Sequence, residues 1–186
     1  MSALSDDELV LRCKQGDESG FAELLLRYKN PLYQYIFAMV RDGGAAEDIF
    51  QEVFLGFYGR IAQYRPEGKL KSYLFTSARN KVWNFFQDGK QEVSLDDTNE
   101  DGTAYLHENL PGSDPQPLDG LARAETAQKI RDASMTLSPA QREVIYLKQY
   151  MTFREVAQLL GHPLGTVLAD HHRGILKMRK ILQEEA

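Results

Sequence analysis

Apolar side chains recur at helical spacing along the first half of the chain. Phe21, Leu24, Leu25 and Tyr28 lead into Leu32, Ile36, Met39 and Val40. Ile49, Val53, Phe57 and Ile61 form a second stripe, widened by Phe50 and Phe54. Leu70, Leu74, Ala78, Val82 and Phe85 form another, with Tyr73 and Phe86 beside it. A repeat of three to four residues places such positions on one face of an α-helix. Ser5 with Glu8 three residues later predicts a capping box ahead of Leu9. Pro31 predicts a kink or a first helical turn, Asp42-Gly43-Gly44 a break, and Arg65-Pro66-Glu67-Gly68 a loop.

The last third has the same character. Leu121 to Met135 predicts one helix, and Ser138-Pro139-Ala140-Gln141 opens the next, which carries Val144, Ile145 and Leu147. Thr152 with Glu155 caps a third, carrying Val156, Ala157, Leu159 and Leu160 and stopped by Gly161. Pro163 starts a last helix to about Leu182. Between the halves, Pro111, Pro115 and Pro117 block regular structure. No repeat or strand alternation is visible. The expected fold is all-α: a helical domain over 1–87, a flexible acidic linker over 88–118 and a second helical domain over 119–186. As a free coil the linker spans about 30 Å on average.

Phe153 to His172 fits a helix-turn-helix. Two helices crossing at close range need a small residue on the first, here Ala157. They need a turn residue tolerant of positive φ, here Gly161, and a branched apolar residue facing back, here Val167. An ordinary helical hairpin with a glycine stop is the plainer alternative. In a helix-turn-helix the second helix enters the DNA major groove and reads base edges near its N-terminus.

The net charge of −5 argues at first against nucleic acid, but its distribution alters that picture. Residues 93–120 hold seven acidic groups and no Lys or Arg, whereas residues 121–186 hold ten basic and seven acidic groups. At 186 residues and 42% hydrophobic content the chain has enough apolar material for packed cores. The longest apolar run, Tyr35 to Val40, is too short to cross a bilayer, and the acidic N-terminus lacks a signal pattern; the expectation is a cytoplasmic protein without membrane insertion. The single cysteine, Cys13, excludes an internal disulfide and suits a half-buried packing role. His162, His171 and His172 do not complete a metal set, and no metal or cofactor is expected. No nucleophile–base pair or phosphate loop suggests an enzyme.

Four segments together carry a family resemblance. TFREVAQLLGHPLGTV, preceded by LSPAQREVIYLKQY, resembles region 4 of the bacterial sigma-70 family, in particular its extracytoplasmic-function (ECF) group. AAEDIFQEVFLGFYGRIAQYRP resembles region 2.2, GKLKSYLFTSARNKVWNFF regions 2.3 and 2.4, and LVLRCKQGDESGFAELLLRY regions 1.2 and 2.1. The order is the family's, and the likeness covers nearly everything but the linker. It implies a factor that binds core RNA polymerase and directs it to promoter DNA, with no covalent chemistry of its own, and that is held in check by an anti-sigma partner.

The resemblance assigns polymerase contact to Asp48, Gln51 and Glu52, which lie on one outward ridge opposite the Ile49–Val53–Phe57 stripe. A plain solvated face has the same pattern. For the minus-10 element it assigns the stretch from Tyr64 to Phe86. Held bases need aromatic stacking, hydrogen bonds and cations near phosphates. The candidates are Tyr64, Arg65, Lys69, Lys71, Arg79, Asn80, Lys81, Trp83 and Asn84. Tyr73 and Trp83 suit a core role equally well. For the minus-35 element the candidates are Arg154, Thr166, Leu168, Ala169, Asp170, His172, Arg173 and Lys177, with Arg179 and Lys180 adding charge downstream.

Two departures qualify this reading. Asn84 to Lys90 lacks the strongly basic run usual in the group, which lowers the expected duplex affinity and its salt dependence. After Gly-Thr-Val, the family's common Lys, Ser and Arg are replaced by Leu168, Ala169 and Asp170, and a family core leucine falls on His171. Leu168 and Ala169 suit thymine methyls and Asp170 a cytosine amine, but Asp170 at the groove also repels phosphate. Gly174 costs the last helix about 1 kcal/mol against alanine, with no visible reason. These features leave open a sigma-like decoy acting on an anti-sigma factor, or a stand-alone helix-turn-helix regulator.

Overall fold

The computed structural model describes residues 4–88 and 128–184. The chain divides into two compact units at Thr98–Asn99. The expected linker falls almost wholly outside the described residues.

The first unit is built from α1 (Asp6–Lys14), α2 (Glu18–Val40), α3 (Gly43–Arg60) and α4 (Leu70–Asp88). Its core is the expected set of stripes. Leu24, Tyr28, Leu32 and Ile36 from α2 meet Ile49, Val53 and Phe57 from α3 and Leu70, Leu74 and Ala78 from α4. Local chemistry fixes the helix starts. Ser5 and Glu8 form the reciprocal capping box, and Asp17 and Asp42 accept from backbone N–H groups at the starts of α2 and α3.

Three local expectations change. Pro31 lies within an uninterrupted α2. The break after Val40 is a single left-handed residue, Arg41 (φ 60°), so Gly43 and Gly44 already belong to α3. Phe85 is not core but 38% exposed, because α4 runs past the helices it packs on.

The second unit contains helical residues 128–135 (α5), then α6 (Pro139–Lys148), α7 (Phe153–Leu160) and α8 (Leu164–Glu184). The remainder of the helix expected from Leu121 lies outside the described residues. Ser138–Gln141 and Thr152–Glu155 both form capping boxes. Gly161 is left-handed (φ 68°). The His162 N–H bonds to the Ala157 carbonyl and the Gly161 N–H to the Gln158 carbonyl, a Schellman stop that turns the chain sharply into α8. Val167 is 1% exposed and faces back into the core with Val156 and Leu160. The helix-turn-helix is therefore formed as the spacing predicts.

Candidate nucleic-acid interface

The first unit has an open concavity of about 530 Å³ between the end of α3, the following loop and one face of α4. Its lining includes Arg60, Tyr64, Arg65, Lys69, Tyr73 and Asn80. Ser72, Thr76 and Ser77 complete the α4 side. These α4 positions recur every three to four residues, so they share one face, and Trp83 and Asn84 extend it by another turn. Trp83 is 63% exposed, which excludes the core role.

The loop is held from α1. The Gly68 N–H donates to both Asp7 carboxylate oxygens at 2.9 and 3.1 Å. Asp6, next to it, accepts from the Arg27 guanidinium at 2.6 Å and from the Tyr28 hydroxyl. The first turn of α1 thus ties α2 to the loop. The Tyr64 ring stands edge-on to Phe57 and Tyr73, with centroids 5.6 and 5.4 Å away. Its hydroxyl is buried, with no hydrogen-bond partner among the described residues. Burial, reinforced by Asp7, Asp6 and Glu67, pushes its pKa up to about 12, so at neutral pH it is a donor.

The concavity gathers Tyr64, Arg65, Lys69 and Asn80, but not every minus-10 candidate. Lys71 and Lys81 lie five residues either side of Thr76, about 140° away around the helix. Lys81 instead forms an ion pair with Glu52 of α3. Lys71 and Arg79 are half-buried.

Asp48, Gln51 and Glu52 are exposed together on α3. Beside them lies a second, mainly apolar concavity of about 820 Å³. Phe21 and Leu25 of α2 and Gln51, Phe54, Leu55 and Tyr58 of α3 line much of it. Leu55 is 70% exposed and Tyr58 52%. Sequence reasoning passed over both, although each is apolar and off the buried stripe. Cys13 also lines this groove, and burial raises its thiol pKa, in keeping with a packing role.

On the second unit, Arg154, Thr166, Leu168, Ala169, His172 and Arg173 are exposed. Asp170 behaves differently from expectation. It accepts from Arg173 at 3.0 Å, and its side chain is only 17% exposed. Its charge is offset one turn along, so it does not stand bare toward phosphate. Lys177 donates to the Thr136 carbonyl beyond α5, which gives it a structural partner within its own unit. His171 is half-buried and meets Phe153 edge-on at 4.9 Å. The Lys148 ammonium lies 5.0 Å from the centre of the same Phe153 ring.

The family description Sigma-70 region 2 matches residues 24–92, which include the concavity, the α3 ridge and the α3 side of the apolar groove. The chain is similar over nearly its full length to proteins named as sigma factors. It is 28% identical to the ECF RNA polymerase sigma factor SigW of Bacillus subtilis over 94% of this chain and 95% of that one. It is 24% identical to the RNA polymerase sigma-H factor of Pseudomonas aeruginosa over 96% and 94%. The first unit thus matches sigma-70 region 2, and the whole chain is similar to ECF RNA polymerase sigma factors. Two solved structures share the fold. One is CnrH in complex with the cytosolic domain of CnrY (TM-score 0.66, 19% identity, 97% of this chain and 99% of that one). The other is the sigma factor RpoE of Bartonella quintana in complex with the anti-sigma factor NepR (TM-score 0.65, 22% identity, 88% and 96%).

Proposed function

We propose that this protein binds core RNA polymerase and directs it to specific promoters, acting as a non-enzymatic specificity subunit. The observation that carries this reading is the α4 concavity. One helix face offers aromatic rings, hydroxyls, an amide and cations at a single open site, the donor set needed to hold an unpaired base and its phosphate. The exposed Asp48–Gln51–Glu52 ridge is the polymerase contact, and its location on α3 lets the unit hold polymerase while α4 faces DNA. The helix-turn-helix contacts the minus-35 element, with Arg154 and Arg173 on phosphates. An anti-sigma protein is the expected regulatory partner. The acidic segment 88–118 joins the two DNA-contacting domains, so two individually weak contacts act together through a high effective concentration.

Run-off transcription with purified core polymerase tests this. The expected result is specific initiation that depends on the added chain and is lost in Glu52→Lys. A chain that never associates with core enzyme is not a sigma factor. Specific binding of duplex DNA without polymerase would instead support a stand-alone regulator.

A further inference from the structure

The outward face of α8 carries an unusual set of side chains for a groove-reading helix. Near its N-terminus it presents Gly165, Thr166, Leu168, Ala169 and His172, all exposed, with Leu168 at 43%. None is a cation, carboxylate or amide. The only charged residue among them in sequence, Asp170, is drawn sideways onto Arg173. One of its oxygens accepts that charge-assisted hydrogen bond, and the side chain is only 17% exposed, so little of the carboxylate is offered to a base edge. Cations surround this face: Arg154 on α7 and Arg173 and Arg179 on α8 are all exposed.

We infer that this helix selects its upstream element through the 5-methyl groups of thymine, with Leu168 as the principal reading residue and Ala169 beside it. The inference rests on the sigma-factor reading. In the major groove the methyl of thymine is the one apolar feature of the four bases, and an apolar side chain distinguishes it by burying it. Gly165, one helical turn before Ala169, adds no side chain and lets the helix sit close. The flanking arginines suit phosphate, where they position the helix without reading sequence. Charge supplies affinity here and shape supplies choice.

The test uses holoenzyme reconstituted from core polymerase and the full chain. A promoter library randomised across the upstream element is selected for open-complex formation. The recovered thymines are then replaced, one at a time, by deoxyuridine, which removes only the methyl. The expected result is thymine enrichment and a loss of about fourfold per methyl read, the effect of exposing one buried carbon group. In Leu168→Ala the thymine-to-uracil difference shrinks toward unity at its position. Equal complex formation on thymine and uracil, with specific initiation intact, overturns the inference and leaves the sigma-factor reading standing. Failure to form holoenzyme at all removes both.

Discussion

Ile145 and Gly174 meet where α6 crosses α8. A Cβ placed on Gly174 would lie 2.7 Å from Ile145 Cδ1 and 3.4 Å from Gln141 Cβ. The close approach accounts for a glycine in the middle of a helix, where it otherwise costs about 1 kcal/mol. Gly174→Ala is therefore expected to forfeit the usual helix gain of about 1 kcal/mol, because the end of the Ile145 side chain must move aside to admit the methyl. Ile145→Val removes the obstructing methyl. In that background Gly174→Ala should become stabilising. Denaturant unfolding of the four proteins in this cycle measures the coupling; strictly additive effects would contradict the clash.

Arg142 is 5% exposed, yet its guanidinium donates to the carbonyls of Ser134, Met135 and Leu137 at 3.2, 3.3 and 2.9 Å. It satisfies the end of α5 from within α6. Arg142→Met is expected to cost about 3 kcal/mol, since the carbonyls stay buried and lose their donors. Arg142→Lys should recover only part, because one ammonium cannot reproduce the planar fork. Thermal unfolding followed by circular dichroism checks both.

His171 gives the second unit a pH dependence. Burial, then Lys148 of α6 and the adjacent His172, lowers its pKa from the ordinary value of 6.5. The unfolded chain thus takes up the proton first as pH falls. The stability contributed by the neutral ring is full above about pH 6.5 and is lost as pH drops through the lowered folded value. His171→Leu should remove this component of the pH profile while keeping contact with Phe153. Unfolding midpoints between pH 5 and 8 for the two proteins test it; parallel profiles would refute it.

Much of the fold was legible because its signals are local. Ser5, Ser138 and Thr152 cap helices through partners three residues away, and Ala157, Gly161 and Val167 mark the helix-turn-helix within eleven positions. What escaped depends on distant chain. The obstruction at Gly174 sits on α6, and the partner of Lys81 is 29 residues earlier. The groove at Leu55 and Tyr58 exists only because α2 passes alongside. Within the candidate site, helical spacing alone joins Asn80 to Trp83 and Asn84, but Tyr64 and Arg65 reach the same face only through the loop that Asp7 holds. Asp170 looked like a repulsive charge because its pairing with Arg173 is a choice of side-chain rotamer.

The Glu52–Lys81 pair separates stability from binding. Glu52 is 61% exposed, so the pair contributes at most about 1 kcal/mol to folding. Glu52→Gln and Lys81→Met should therefore unfold nearly as the parent does. They should differ in polymerase binding: about tenfold weaker for Glu52→Gln, which loses a charged contact at the proposed interface, and little changed for Lys81→Met. Titration of labelled protein with core enzyme distinguishes them. Equal losses in both would place the effect on helix packing.

The most direct test concerns the α4 concavity and an unpaired base. Holoenzyme is mixed with promoter DNA carrying 2-aminopurine at successive minus-10 positions, and fluorescence reports unstacking and capture. The account predicts that at one position the probe becomes immobilised with restricted quencher access, and that Tyr73→Ala or Asn80→Ala abolishes this while core binding persists. Unchanged capture in both variants, with initiation intact, would contradict it.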